Sequence, residues 1–137
     1  MKVEQVMTRD PQVVEKKTPL REAAEKMREL DVGFLPVVDD GRCVGVVTDR
    51  DITVRVTAEG RDPGRARVEE AMTPSFISCR PGDDLARAEE LMQRNQVRRL
   101  LVMGEREDLV GVVSLGDVAL KDSSAGGEVL KDVSKPS

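Results

Sequence analysis

The chain states nearly everything twice. Val3-Glu4-Gln5-Val6-Met7-Thr8 returns as Val68-Glu69-Glu70-Ala71-Met72-Thr73, an offset of 65. Leu20, Ala23, Met27, Val32 and Leu35 map at that offset onto Leu85, Ala88, Met92, Val97 and Leu100. One inserted residue makes the offset 66, and Gly45-Val46-Val47-Thr48 through Asp51 then maps onto Gly111-Val112-Val113-Ser114 through Asp117. Self-similarity at a fixed period means two copies of one supersecondary unit. It divides the chain into a first repeat at 1–58, a linker at 59–67, a second repeat at 68–122 and a tail at 123–137. The linker carries Gly60, Pro63 and Gly64. The tail carries Gly126-Gly127 and Pro136 and reads as loose, with Val129, Leu130 and Val133 as its candidates for docking.

Both copies parse alike. Short extended pieces are expected at 12–14 and 76–78. A helix follows, for which Thr18 is the expected N-cap with Pro19 at the first helical position, and Asp83 the expected cap of the second copy. Leu20, Ala23, Ala24, Met27 and Leu30 fall on one helical stripe, as do Leu85, Ala88, Leu91 and Met92. The helices are expected to end near Asp31 and Asn95. Apolar runs at 34–38 and 43–48 flank Asp39-Asp40-Gly41 and read as a hairpin, repeated at 100–103 and 109–114. These runs are mostly apolar rather than alternating, which predicts cover on both faces. Further helices are expected after Thr48, to about Ala58, and after Ser114. The methionines that recur with the unit, Met7, Met27, Met72, Met92 and Met103, are read as core filling.

Composition narrows the chemistry. The 137 residues are 39% hydrophobic and 35% charged, with a net charge of −4 and no histidine. A net negative chain with only Phe34 and Phe76 as aromatics lacks both the basic face and the stacking platform of a nucleic-acid binder. Without histidine the usual general base, metal ligand and pH switch are all missing. No nucleophile–base pair is visible, so no catalytic residue and no metal site is assigned. Cys43 and Cys79 stand in no metal-ligand spacing and read as two small buried thiols in a reducing compartment, with a disulfide between them as the alternative. No long apolar run or signal-peptide pattern is present, which gives the expectation of a cytoplasmic protein without a membrane partner.

The ordered set of Met-Thr, helix, apolar hairpin and Gly-Val-Val-Thr/Ser-x-x-Asp resembles the CBS domain, and the pair resembles a Bateman module. The likeness to small standalone two-repeat proteins of bacteria runs through Leu35-Pro36-Val37-Val38, Thr48-Asp49-Arg50-Asp51-Ile52 and Val97-Arg98-Arg99-Leu100. It covers about residues 3–120. The resemblance implies an α/β (α+β) fold of two β-α-β-β-α units packed around a pseudo-twofold axis. It also implies a non-catalytic sensor that requires no cofactor and binds a regulatory adenine nucleotide (AMP, ADP or ATP). A homodimer and an unidentified downstream protein are the expected partners.

Carried over position by position, the resemblance makes Asp51 and Asp117 ribose-binding carboxylates, with the hydroxyls of Thr48 and Ser114 beside them. It groups Thr48, Arg50 and Asp51 with Phe76, Ile77, Val97, Arg98 and Arg99 as one site. A second, weaker site comprises Gln12, Val13, Val32, Gly33, Phe34, Ser114 and Asp117. The first has arginines for a phosphate. The second has Gly116, Gly33 and Phe34 at the matching positions. A plainer reading of Thr48-x-x-Asp51 and Ser114-x-x-Asp117 is an N-capping box with Asp in place of Glu. On that reading the chain is a ligand-free dimerisation module. A binder of NAD or of an S-adenosyl compound is a further alternative. Ile52 and Val56, one turn apart, are expected on an apolar face open to a second copy.

Overall fold

The computed structural model describes residues 1–126, with side chains described through Leu120. In chain order the elements are β1 (Thr8–Arg9), β2 (Val14–Glu15), α1 (Leu20–Leu30), β3 (Phe34–Asp39), β4 (Arg42–Thr48), α2 (Asp49–Ile52), β5 (Ser78–Cys79), α3 (Leu85–Asn95), β6 (Arg99–Met103), β7 (Leu109–Ser114) and α4 (Leu115–Gly126). Helix α2 continues as a π-helical turn, Thr53–Thr57, and short 3-10 turns occupy Val3–Gln5 and Val68–Glu70. The fold is mixed α+β.

The chain forms two compact units, and they are not cut where the sequence repeats are. One unit is Gln12–Phe76; the other joins Met1–Pro11 to the chain from Ile77 onward. Each repeat's leading segment therefore folds with the other repeat's helix and hairpin. The hydrogen bonds that do this are matched pairs. Val68 N–H donates to the Thr18 carbonyl (2.8 Å) and Val3 N–H to the Asp83 carbonyl (2.9 Å). Glu69 N–H donates to Lys16 (2.9 Å) and Glu4 N–H to Pro81 (3.0 Å). Leu20 N–H donates to Ala66 (2.9 Å) and Leu85 N–H to Met1 (3.0 Å).

The last pair corrects the expected helix caps. The N-cap positions are Pro19 and Asp84, and neither side chain caps its helix. The incoming backbone satisfies the first-turn N–H groups instead, as any helix end requires. Thr18 is displaced because its own carbonyl is taken by Val68. Asp83 is displaced because its Oδ2 accepts the Arg80 N–H at 2.9 Å. Both helices end on a residue in the left-handed region, Asp31 (φ 55°) and Gln96 (φ 54°).

In the Gln12–Phe76 unit the sheet order is β2-β3-β4, with β2 parallel to β3 and β3 antiparallel to β4. Asp40 and Gly41, both at positive φ, close the hairpin, as a tight two-residue turn demands. Leu20, Ala23 and Met27 of α1 pack on Leu35, Val37, Val47, Ile52, Val56 and Val68. Ile52 and Val56 are 8% and 0% exposed, so the expected open apolar face is core. The π-helical turn changes the pitch after Ile52, a local geometry that a 3.6-residue reading does not anticipate.

In the other unit the order is β1-β7-β6-β5. Val3 is fully buried there among Leu85, Met92, Leu100, Val102 and Val113. The opening strands β2 and β5 sit one to two residues later than the apolar pattern suggested. Met27, Met92 and Met103 are buried, and Met7 and Met72 half-buried. Helix α4 runs through Gly126, into the expected tail, since Ser123-Ser124-Ala125 contains no helix breaker. Val129, Leu130 and Val133 lie outside the described residues.

Candidate functional site

Each hairpin delivers its second strand into a helix, and the junction carries the conserved pattern of the two repeats. Thr48 is extended (φ −119°, ψ 163°) and caps α2. Its hydroxyl accepts the Asp51 N–H at 3.0 Å, while Asp51 Oδ2 accepts the Thr48 N–H at 2.9 Å. Ser114 and Asp117 repeat this reciprocal arrangement, at 3.0 and 2.9 Å. The capping reading is therefore real in both units. It uses one oxygen of each carboxylate. Among the described residues the other oxygen accepts no hydrogen bond.

The surroundings of Asp51 hold a residue that the sequence reading passed over. Arg55 lies one turn on, its Nε 3.9 Å from Asp51 Oδ1, and its Nη1 donates to the carbonyls of Ala71 (3.1 Å) and Met72 (3.0 Å). The i, i+4 spacing of Asp51 and Arg55 was the available signal. Arg50 is exposed, and its backbone N–H donates to Asp49 Oδ1. Phe76 is half-buried at the end of this unit.

The same unit carries five residues of the expected second set. Gln12 and Val32 are exposed; Val13, Gly33 and Phe34 are half-buried. The Val13 carbonyl accepts Lys26 Nζ at 2.7 Å, a cation that the expected site did not include. The Gly33 carbonyl accepts the Asp49 N–H at 3.0 Å, and a Cβ built on Gly33 would lie 2.7 Å from Asp49 Oδ2. The Gly33 corner, expected to be uncharged, thus carries a carboxylate.

The unit from Ile77 onward holds the remaining residues. Ile77 and Val97 are half-buried and pack against the core, so their structural role is plain. The Arg98 carbonyl accepts the Leu115 N–H at 2.8 Å, the counterpart of the Gly33–Asp49 bond. Arg98 is exposed and Arg99, at the start of β6, is half-buried. Where one unit places Gly33 beside a carboxylate, the other has an arginine beside Leu115.

The glycines of β4 and β7 mark where the leading segments dock. Val46 N–H and Thr73 N–H each donate to the other's carbonyl, at 3.0 and 2.8 Å. A Cβ on the neighbouring Gly45 would stand 2.2 Å from the Thr73 carbonyl oxygen. In the other unit Thr8 pairs with Val112, and a Cβ on Gly111 would meet Met7 Sδ at 2.6 Å and Thr8 O at 2.9 Å. Glycine inside an apolar strand is the sequence signal of such a backbone approach.

Both cysteines are free thiols. Burial pushes the Cys79 thiol up to about 11, with the Asp83 charge adding to it, and burial also raises Cys43. Among the described residues no group of three or more His, Cys, Asp or Glu side chains is arranged to hold a metal, and no helix is long and apolar enough to cross a membrane.

Known proteins share this fold. The model of the CBS domain matches residues 3–57 and 68–123. The CBS domain-containing protein YhcV of Bacillus subtilis is 39% identical over 134 residues, 96% of this chain and 94% of that protein. The crystal structure of Hypoxic Response Protein I, with two coordinated zinc ions, has a TM-score of 0.78 at 33% identity, covering 88% of this chain and 98% of that one. CBSX2 in complex with AMP has a TM-score of 0.81 at 28% identity, covering 90% and 97%.

Proposed function

Because the chain belongs to the CBS-domain family, we propose that it is a non-catalytic regulatory module whose ligand is an adenosine compound, an adenine nucleotide of the AMP, ADP or ATP type. The observation that carries this reading is the twice-built carboxylate, held by a cap through one oxygen. A half-buried carboxylate fixed in this way is suited to a ribose, whose two adjacent hydroxyls need charged acceptors in a set position. A relative of the same fold binds AMP, which supports the ligand class. Asp51 with Thr48, and Asp117 with Ser114, are the groups proposed to read the ribose, and Arg50 is proposed for the phosphate. The family resemblance alone assigns Phe76, Ile77, Val97, Arg98 and Arg99 to the same ligand as Asp51. It likewise assigns Gln12, Val13, Val32, Gly33 and Phe34 to that of Asp117. Arg98 and Arg99 are proposed for the phosphate, which a planar guanidinium grips with paired donors. The Asp49 carboxylate at Gly33 favours a ligand without phosphate for the second set.

A ligand that binds only the folded chain stabilises it by about 2.7 kcal/mol at one hundred times its dissociation constant. Thermal melts are expected to rise with AMP or ATP and not with inorganic phosphate. Mass spectrometry of ligand released from natively purified protein identifies the compound. If no adenosine compound moves the melt at millimolar concentration, the capping boxes are only structural and the dimerisation reading replaces this one. A homodimer is part of the proposal. With Ile52 and Val56 in the core, Val54, 47% exposed on the same helical segment, is one of several exposed apolar residues, with Leu30 and Val32, that a second copy could cover. Light scattering that finds a monomer at micromolar concentration removes this part.

A further inference from the structure

The segment 71–76 crosses the Gln12–Phe76 unit as a strap, held at three places besides the burial of Ala71 and the packing of Met72 against the core. Arg55 Nη1 donates to the carbonyls of Ala71 and Met72 at 3.1 and 3.0 Å. Thr73 exchanges two hydrogen bonds with Val46 of β4. The strap backbone then lies over Gly45, filling the space a Cβ would need. The same guanidinium has its Nε 3.9 Å from Asp51 Oδ1, the carboxylate oxygen not used by the cap. The Asp51 side chain is 15% exposed, so its charge is only partly screened.

We propose that Arg55 is a positioning residue that couples the Asp51 carboxylate to the docking of the strap, so that a ligand engaging Asp51 loosens the strap. A guanidinium is a rigid planar fork, and its engagements cannot change independently. With Asp51 charged and unoccupied, Nε is drawn toward Oδ1 and Nη1 is held where it meets both strap carbonyls. A ligand hydroxyl that donates to Oδ1 competes for that oxygen and weakens its hold on Arg55. The strap then keeps the Thr73–Val46 pair, its packing over Gly45, the burial of Ala71 and the core packing of Met72. The ligand half of this inference rests on the proposed reading of Asp51; the link from Asp51 through Arg55 to the strap does not.

The test is amide hydrogen exchange of the full chain at Val46 and Thr73, with Leu101 of the other unit as reference. Without ligand, Arg55→Ala is expected to speed exchange of both amides by on the order of tenfold, the low end for charged hydrogen bonds. Asp51→Asn keeps a cap acceptor and removes the charge. It is expected to speed both amides about twofold, the scale of an i, i+4 ion pair, and to add nothing in the Arg55→Ala background. Arg55→Lys, which keeps the charge and loses the fork, is expected to fall between wild type and Arg55→Ala, and serves if the alanine variant does not fold. Unchanged exchange at Thr73 in the Arg55 variants overturns the proposal. So does an equal effect of Asp51→Asn with and without Arg55. With AMP added, about twofold faster exchange at Thr73 is expected in the wild type alone. If AMP binds and Thr73 slows, the direction of coupling is wrong. If AMP moves no melt, the ligand reading fails, while the ligand-free variants still decide the role of Arg55.

Discussion

The two units are built on the same bonds and differ in their charges. The docking bonds of the leading segments agree within about 0.1 Å, and the two capping boxes have the same distances. Around that shared frame the residues diverge. Arg55 reaches the strap in the Gln12–Phe76 unit, and Lys121 holds the matching sequence position in the other. Gly33 beside Asp49 corresponds to Arg98 beside Leu115. The contrast separates two demands on a duplicated sequence. The backbone bonds that close each unit must be kept in both copies, because an unpaired N–H at a helix start is costly. The side chains around each capping box carry no such duty and are free to specialise.

The comparison breaks most visibly if each leading segment stabilises its own repeat. Deleting residues 1–9 removes Val3 from the core of the unit that begins again at Ile77, and fully burying one valine is worth about 1.5–3 kcal/mol on its own. Amides of α3, β6 and β7 are expected to lose protection from exchange first, and those of α1, β3 and β4 to keep it. The reverse order contradicts the observed units. A matched pair of glycine variants sharpens the same point. Gly45→Ala drives a Cβ deep into a backbone carbonyl, whereas at Gly111 the nearest obstacle is a flexible methionine and the Thr8 carbonyl, at 2.9 Å, is only marginally too close. Overpacking costs about 1–3 kcal/mol, so Gly45→Ala belongs at the upper end and Gly111→Ala at the lower. Denaturant melts that rank them the other way count against the two close approaches.

The smallest effect concerns acid. Glu70 Oε2 accepts the Arg67 N–H at 2.7 Å, and Gln5 Oε1 accepts the Lys2 N–H in the matching place. The Arg67 N–H holds the Glu70 carboxyl below its usual value; burial opposes it, and the Arg61 charge adds a smaller lowering effect. A lowered folded pKa adds stability above the unfolded value that is lost as pH falls through the carboxylate range. Glu70→Gln copies the other repeat and is expected to flatten that part of the stability profile. An unchanged profile shows that this cap contributes nothing.

Much of this was legible beforehand. The period gave both copies, apolar runs gave the hairpins, and Thr48-x-x-Asp51 with Ser114-x-x-Asp117 gave the capping boxes. The exchange of leading segments was not, because two near-identical segments satisfy either copy equally well in sequence. Only the interior glycines, Gly45 and Gly111, hinted that another backbone passes close by. Asp49 against Gly33 and Lys26 on Val13 join residues 16 and 13 positions apart, beyond the reach of local spacing. Ile52 and Val56 read as open in the sequence because the segment that helps to bury them, with Val68, belongs by sequence to the other repeat.

Calorimetry with AMP on the wild type, Asp51→Ala and Asp117→Ala tests the central claim most directly. Loss of a charged acceptor is worth about 1.5–3 kcal/mol, roughly a 10- to 150-fold weaker site. Asp51→Ala is expected to show that loss once its melt confirms that it is folded, since the same carboxylate caps α2. Asp117→Ala is expected to weaken AMP binding less. AMP binding that survives Asp51→Ala and vanishes with Asp117→Ala contradicts the account.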